Sequence, residues 1–384
     1  MAAVIKRDVI IAGAGPAGAV CAAYLARAGI DVLLLDKELF PRDKVCGDIV
    51  RESVVRHIEQ LEAVAALDEM SSCIRRLNLI SPSGNEAVIP YECYTMPRAR
   101  LDQLLVDVAV SWGAEFRQGC RVENVIRDGG KVCGVLVREK GQLRELKSRI
   151  VIAADGAASA ISGMINETDE ISEGVWMGQR AYFKGVKIDK GLSKEQYDAG
   201  GIFCFDDKKG PAYFWVVPVG ADGVKRGICS VGMIIRGGDD LSDADIASRL
   251  TAWLDCNDKI KVCMGEAEQI SPWSFGRLPD MNQGKEPVGN GCIFIGDAAA
   301  QTIPLYGDGI GAAADSAKAA ADAVEDAFRN DDFSEERIRS RFNVAMTALR
   351  RSDTEEYENR AKLDRLLIES MVDPHVMDMV IARI

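Results

Sequence analysis

The sequence predicts an α/β protein, α+β over its whole length. It combines a doubly wound parallel sheet, an inserted antiparallel-sheet domain and a helical C-terminal tail. Three observations carry that prediction. The chain opens with a buried strand, a glycine turn and a helix over residues 8–26. A second buried strand and glycine turn return at residues 292–297. Between residues 175 and 275 short strand-like segments alternate with polar turns, which suits an antiparallel sheet with a helix.

In the opening segment, Asp8-Val9-Ile10-Ile11-Ala12 reads as a parallel strand and Gly13-Ala14-Gly15-Pro16-Ala17-Gly18 as a turn entering a helix. Gly13 makes the tight turn, Gly15 lets backbone approach a pyrophosphate, and Gly18 lets helix and strand pack closely. Pro16 and Ala17 start the helix, whose N-terminus offers free N–H groups and a positive dipole end to an anion. A second apolar run, Val32-Leu33-Leu34-Leu35, ends in Asp36-Lys37. Asp36 is placed to accept hydrogen bonds from ribose hydroxyls and to repel a 2′-phosphate. Strand, turn, helix, second strand and terminal acid together predict a Rossmann-type site for an adenine dinucleotide, with NADP a poor candidate.

Residues 40–49 form a loop by their Pro, Gly and charge content, and a helix follows through Val54, Ile58, Leu61 and Val64. Alternation in 74–92 around Ser81-Pro82-Ser83-Gly84-Asn85 predicts a hairpin. Pro97-Arg98 opens a helix that Gly113 ends. Short strands follow at 115–126, 131–139 and 145–150, and the apolar run 150–154 stops at Asp155-Gly156. Strands are expected at 178–186, 201–205, 212–217 and 227–235, then a helix capped by Ser242. After the strand ending in Gly296-Asp297 comes the loop Pro304-Leu305-Tyr306-Gly307-Asp308-Gly309-Ile310, and an alanine-rich helix over 311–328. The tail from Ser334 is charged and helical, and its last stretch, 376–381, is expected to pack back on the domain.

Domain boundaries follow from these shifts. Residues 1–73, 98–174 and 276–330 form the nucleotide-binding part, 74–97 with 175–275 the substrate part, and 331–384 a helical segment. A net charge of −12 without a basic stripe excludes a nucleic-acid binder and tight docking on anionic lipid. The chain enters its first strand directly after Lys6-Arg7, which predicts no signal peptide, and no apolar run is long enough to span a bilayer. Eleven cysteines without a C-x-x-C pair indicate no metal and a reducing compartment. A cytoplasmic location with at most peripheral membrane contact follows; the oligomeric state is open.

The first motif alone does not separate FAD from NAD. A late strand ending in Gly296-Asp297, with a helix opening near Gly309-Ile310, suits the longer cofactor: Asp297 accepts from a ribityl hydroxyl, and that helix points N–H groups at the flavin N1/O2 edge. Taken in order, residues 13–18 with Asp36, Arg98-Ala99-Arg100-Leu101-Asp102, Ala154-Asp155-Gly156, Gly296-Asp297 and Gly307-Asp308-Gly309 resemble the FAD-dependent oxidoreductases typified by p-hydroxybenzoate hydroxylase. Pro41-Arg42-Asp43-Lys44-Val45-Cys46-Gly47-Asp48 and Tyr213-Phe214-Trp215-Val216-Val217-Pro218-Val219-Gly220 are similar to P-R-x-K-x-C-G and Y-x-W-x-F-P-x-G of its geranylgeranyl reductase branch. The likeness covers residues 8–325. Val217 stands where that branch has an aromatic, and Ile49 where a second glycine is common.

The resemblance implies FAD held by Gly13, Gly15, Pro16, Ala17, Gly18, Asp36, Lys37, Arg42, Cys46, Gly47, Arg98, Asp155, Gly156, Gly296, Asp297, Pro304, Gly307, Gly309 and Ile310. It implies reduction of carbon–carbon double bonds in an isoprenoid chain by hydride from flavin N5. An isolated alkene has no carbonyl to take up charge, so the protein must supply a proton, and Cys46 and Asp48 are the candidate donors. For each there is a plain alternative: a packing residue for Cys46, a loop-capping carboxylate for Asp48. Tyr213, Trp215 and Val217 share one face of a strand ending at Pro218 and would line the apolar substrate, the plain alternative being an ordinary sheet core. Arg180 and Tyr182 read as structural, and His57 and His375 as surface or core residues. The electron donor, NADPH or a reduced ferredoxin-type carrier, is undetermined. Two rivals stand beside this reading: a monooxygenase or halogenase on an aromatic or carrier-bound substrate, although the halogenase motif G-W-x-W-x-I-P is absent, and a non-catalytic prenyl-binding escort.

Overall fold

Strands with no polar face cannot sit at a water boundary, and the chain sorts its elements accordingly. The computed structural model describes residues 5–166, 176–188, 200–206, 212–221, 223–236, 242–256, 258–278, 286–301, 309–351 and 374–381. A first sheet begins with β1 (Ile5–Ala12) and, after helix α1 (Pro16–Arg27), β2 (Val32–Leu35). The chain crosses to a second sheet for β3 (Ile49–Val50), makes α2 (Glu52–Gln60) and α3 (Val64–Met70), and forms the hairpin β4 (Ser72–Ile80) and β5 (Glu86–Thr95). Helix α4 (Arg98–Ser111) leads back to β6 (Glu115–Arg117), β7 (Cys120–Asp128), β8 (Lys131–Glu139), β9 (Gln142–Ala153) and α5 (Ala160–Asn166).

The second sheet then receives β10 (Trp176–Lys184), β11 (Gly201–Asp206), β12 (Ala212–Pro218), the single turn α6 (Gly223–Arg226) and β13 (Cys229–Arg236). Helices α7 (Asp243–Cys256) and α8 (Asp258–Met264) precede β14 (Glu268–Gln269) and β15 (Ser274–Leu278). The chain finishes in the first layer with β16 (Val288–Gly289), β17 (Cys292–Phe294), α9 (Gly309–Asn330) and α10 (Glu335–Arg351), followed by α11 (Pro374–Ile381).

The first sheet runs β16-β17-β9-β1-β2-β6, parallel from β17 to β6, with β7 and β8 attached to β9 as an antiparallel meander. All four residues of β2 are buried, each Leu worth ~2 kcal/mol of apolar burial. Helix α1 is buried from Pro16 through Ala26 and packs against both α4 and α9, a closeness that its run of Ala and Gly residues permits. The second sheet runs β14-β10-β13-β12-β11-β4-β5-β3, with β15 also on β10. One of its faces is closed by α7 and α8, where Phe214 stacks on Trp253 at 4.2 Å. Its other face carries Tyr213, Trp215 and Val217.

Several sequence expectations change in detail. The helix through Val54 and Val64 is two helices: Glu62 adopts a left-handed conformation (φ 62°) and breaks the run without a glycine to announce it. The segments 145–150 and 150–154 are one strand, β9. The late strand ends at Phe294, and Gly296–Ala299 is a 3₁₀ turn. Of the two expected parts, the first contributes β3 to the second sheet. Ser242 caps α7 as expected: its hydroxyl accepts from Asp245 N–H (3.2 Å), and its own N–H donates to the Asp245 carboxylate (3.0 Å). The tail's last stretch packs back as expected, with Met377 and Ile381 of α11 buried on the second sheet. No helix of the described residues is long and apolar enough to cross a membrane.

Candidate active site

Where β1 gives way to α1, the backbone leaves no room for side chains. A Cβ on Gly18 would lie 1.8 Å from Gly13 O, and one on Gly13 would lie 2.2 Å from Ala154 O at the end of β9. Gly15 differs: the nearest atom a Cβ there would meet is Arg42 Nη2, at 3.5 Å. Gly15 is also the N-cap of α1, with no side-chain cap and no acid in the first turn to compete with an anion. Backbone access, a helix N-terminus and a guanidinium thus converge on the expected pyrophosphate position. The residues present fit the phosphate half of a dinucleotide.

The charges behind that point form a buried chain. Asp36 Oδ2 accepts from Ala14 N–H (2.8 Å) and Oδ1 from Glu38 N–H (2.9 Å). A carboxylate has about four acceptor positions, so about two stay open to ribose hydroxyls. Lys37 beside it is exposed. Arg42 reaches from Asp36 (3.9 Å) to Asp102 (2.9 Å), and Asp102 also takes a bidentate pair from Arg98 at 2.8 and 2.9 Å. Burial opposes the charge on Arg98, but the Asp102 charge and hydrogen bonds outweigh it and hold the guanidinium ionised. Asp102 is fully buried between the two guanidiniums. Its role was missed in the sequence, where only the four-residue spacing from Arg98 hints at it.

The late motif meets the early one. Gly296 has φ 61°, and a Cβ on it would come within 3.0 Å of Ala17 Cβ and 3.3 Å of Ala313 Cβ. The 3₁₀ turn therefore rests on the first turn of α1 and on α9, which Gly309 and Ile310 begin. Asp297 pairs with Lys44 of the 41–48 loop at 3.3 Å. Asp155, ahead of the positive-φ Gly156, accepts from Ser159 Oγ–H (2.6 Å) and Ile161 N–H (3.2 Å), so it caps the entry to α5. Pro304 and Gly307 lie outside the described residues. His57 is a core residue, held between Tyr24 Oη (2.8 Å) and Asp315 Oδ1 (2.9 Å), so it ties together α1, α2 and α9.

The 41–48 loop lies across the open face of the second sheet. Val45 sits over Gly276 and Gly178, 3.1 and 3.4 Å from where their Cβ atoms would be, and Gly47 faces Trp215. Arg180, fully buried, donates to Asp43 (2.6 Å) and to Lys44 O (2.9 Å), and its guanidinium stacks 4.0 Å from the Tyr182 ring. Arg180 and Tyr182 are structural as expected, but the structure they hold is the site loop itself. Asp48 ends the loop at φ 63° and is fully buried. Its Oδ1 accepts from Arg98 N–H (3.2 Å) and Tyr182 O–H (3.1 Å), while Arg180 Nε stands 3.8 Å from Oδ2. Burial pushes its carboxyl up to about 6, against the pull of Arg180. Burial likewise raises the Cys46 thiol, which Arg98 opposes.

Tyr213, Trp215 and Val217 are buried on one face of β12, with Tyr213–Trp215 and Tyr213–Phe203 ring centroids 6.0 and 5.7 Å apart. Pro218 ends the strand. The Trp215 indole lies across β13 because Gly232 has no side chain: a Cβ there would be 2.4 Å from Trp215 Cζ2. Trp215 Nε1–H donates to Ser230 Oγ at 3.2 Å. Cys46 packs against the core of the first sheet while its neighbour Gly47 faces Trp215, so the thiol stands at the seam between the two sheets.

The FAD binding domain family model matches residues 6–331 of this chain. A digeranylgeranylglycerophospholipid reductase of Methanopyrus kandleri is 30% identical over 329 residues, covering 85% of this chain and 79% of that protein. A menaquinone reductase of Mycolicibacterium smegmatis is 28% identical over 334 residues, 83% of this chain and 76% of that one. Among solved structures, a geranylgeranyl bacteriochlorophyll reductase-like protein from Thermoplasma acidophilum aligns over 99% of this chain and 96% of its own, with TM-score 0.76 and 19% identity. A flavin-dependent brominase aligns over 98% of both chains with TM-score 0.70 and 21% identity. Both structural likenesses concern the fold.

Proposed function

The chain belongs to the FAD-binding-domain family of flavin oxidoreductases, and on that footing we propose that it reduces carbon–carbon double bonds of an isoprenoid chain. The observation that carries the reading is the buried row of Tyr213, Trp215 and Val217 on one face of β12, brought against the loop that carries Cys46. The lipid and quinone in the two relatives' names share a polyprenyl chain, which is the kind of molecule such a face accepts.

When bound, FAD supplies the hydride, from its reduced N5. Gly13, Gly15, Pro16, Ala17 and Gly18 with Arg42 would take the pyrophosphate, Asp36 and Lys37 the adenosine side, and Asp297, Gly296 and the start of α9 the ring side. Arg98 and Gly47 would stand near the flavin or its pyrophosphate, and Asp155 with Gly156 would support the backbone behind the adenosine. Tyr213, Trp215, Val217 and Pro218 exclude water and orient the hydrocarbon. Cys46 Sγ gives the proton to the second alkene carbon. Its thiol stays protonated through neutral pH, and the thiolate left behind forms beside the Arg98 guanidinium, which stabilises it. Asp48 suits the donor role less, because Arg98 N–H and Tyr182 O–H already bind its carboxylate form. It anchors the loop and caps the start of α4.

The test is to reduce the purified yellow protein without oxygen and add geranylgeranyl diphosphate. Oxidation of the flavin with a matching gain of hydrogen by the prenyl chain is expected. A flavin that stays reduced over an unchanged substrate defeats the proposal.

A further inference from the structure

The apolar face has a polar end and a closed end. At the polar end Tyr182, Ser230 and Val217 lie in one cross-strand row, next to Asp48. The row of Gly178, Ile234 and Tyr213 lies four residues farther along the strands, roughly 13 Å away. The same row continues into Phe205, opposite Tyr213, while Leu79 and Phe203 stand one row back, opposite Trp215, where β4 runs toward the 81–85 turn. Over this end lies α11. Met377 and Ile381, four apart and so on one side of the helix, are both buried against the face, while Met379 is exposed. The helix is tied to the turn by Asp378, which accepts from Ser83 N–H (3.3 Å) and from Ser83 Oγ–H.

We propose that α11 is the end wall of the hydrocarbon site, and that Met377 and Ile381 set the length of chain the enzyme accepts. The inference rests on the reading that a prenyl chain lies on this face with its reacting bond near Cys46. A chain entering from the polar end runs along Val217, Trp215 and Tyr213 and stops against the Met377 side chain. A wall made of methionine yields more readily than one made of aromatics, because an unbranched thioether repacks around what it meets. The wall comes from a segment beyond the region that matches the family model, so it is a feature through which relatives with the same flavin site could differ in chain length.

The experiment compares kcat/KM of the holoenzyme for geranyl, farnesyl and geranylgeranyl diphosphate. Met377→Ala is expected to move the preference toward the longer chain by roughly tenfold, and Met377→Trp to move it toward the shorter by a similar factor. Ser83→Ala, on an exposed turn, loosens the helix without altering the apolar face and is expected to flatten the preference. It carries the test if a core variant does not retain flavin. Turnover with chain-length ratios equal to wild type overturns the inference while leaving the proposed activity standing. Failure of the wild-type enzyme to reduce any of the three removes the activity, and the inference with it.

Discussion

Asp48 holds a left-handed backbone conformation that a non-glycine residue rarely adopts, and every oxygen of its side chain is buried. Its carboxyl rises from an ordinary 3.8 to about 6, chiefly through burial, so the folded state keeps a proton that the unfolded chain has lost. The sign follows: this group's contribution is full below its unfolded value and is lost as pH climbs through about 6, a change of roughly 3 kcal/mol. Denaturant unfolding of wild type and Asp48→Asn between those values checks this; the stability of the wild type relative to the amide variant is expected to fall as pH rises, and a constant difference contradicts it. At Cys46 the expectation is kinetic. Cys46→Ala should keep its flavin but slow substrate-driven flavin oxidation by about a hundredfold or more, as measured in anaerobic stopped flow. A variant as fast as wild type would return the thiol to its plain role as a packing residue. Sequence alone named both residues and left that choice open, because burial and hydrogen-bond partners are properties of the fold.

At the scale of elements, the β1–α1 turn was legible because its chemistry is local: Gly13, Gly15 and Gly18 state their geometry in their spacing. The alternation of Tyr213, Trp215 and Val217 was legible for the same reason. Gly232 was not. It lies on a neighbouring strand, and its value depends on an indole crossing from β12, which no spacing within β13 records. Gly232→Ala puts a methyl 2.4 Å from both Gln179 O and Trp215 Cζ2, so strand and ring must both shift. A loss of about 1–3 kcal/mol is expected, read as a lower Tm together with altered tryptophan fluorescence. The break at Glu62 was equally hidden, since a left-handed glutamate leaves no mark in an otherwise helical pattern.

Over the whole molecule, two sheets contributed by interleaved stretches of chain meet along the 41–48 loop, and the two glycine motifs, far apart in sequence, touch at Gly296 and Ala17. The order of motifs announced this assembly, whereas the charge chain Asp36–Arg42–Asp102–Arg98 became visible only once α4 had docked beside the loop. Removing its central member exposes two guanidiniums to each other. Asp102→Asn is expected to cost roughly 3–5 kcal/mol and to release FAD on gel filtration, and full retention of cofactor and Tm would show that the chain is not what holds the loop. The central claim is that the flavin of this scaffold delivers hydride to an apolar chain rather than activating oxygen. It is tested most directly by mixing the reduced holoenzyme with geranylgeranyl diphosphate in the strict absence of oxygen, then analysing flavin absorbance and product mass together. The account predicts oxidised flavin and a product heavier by two hydrogens for each bond reduced. Flavin that stays reduced until oxygen is admitted, with an oxygen atom then found in the product, would contradict it.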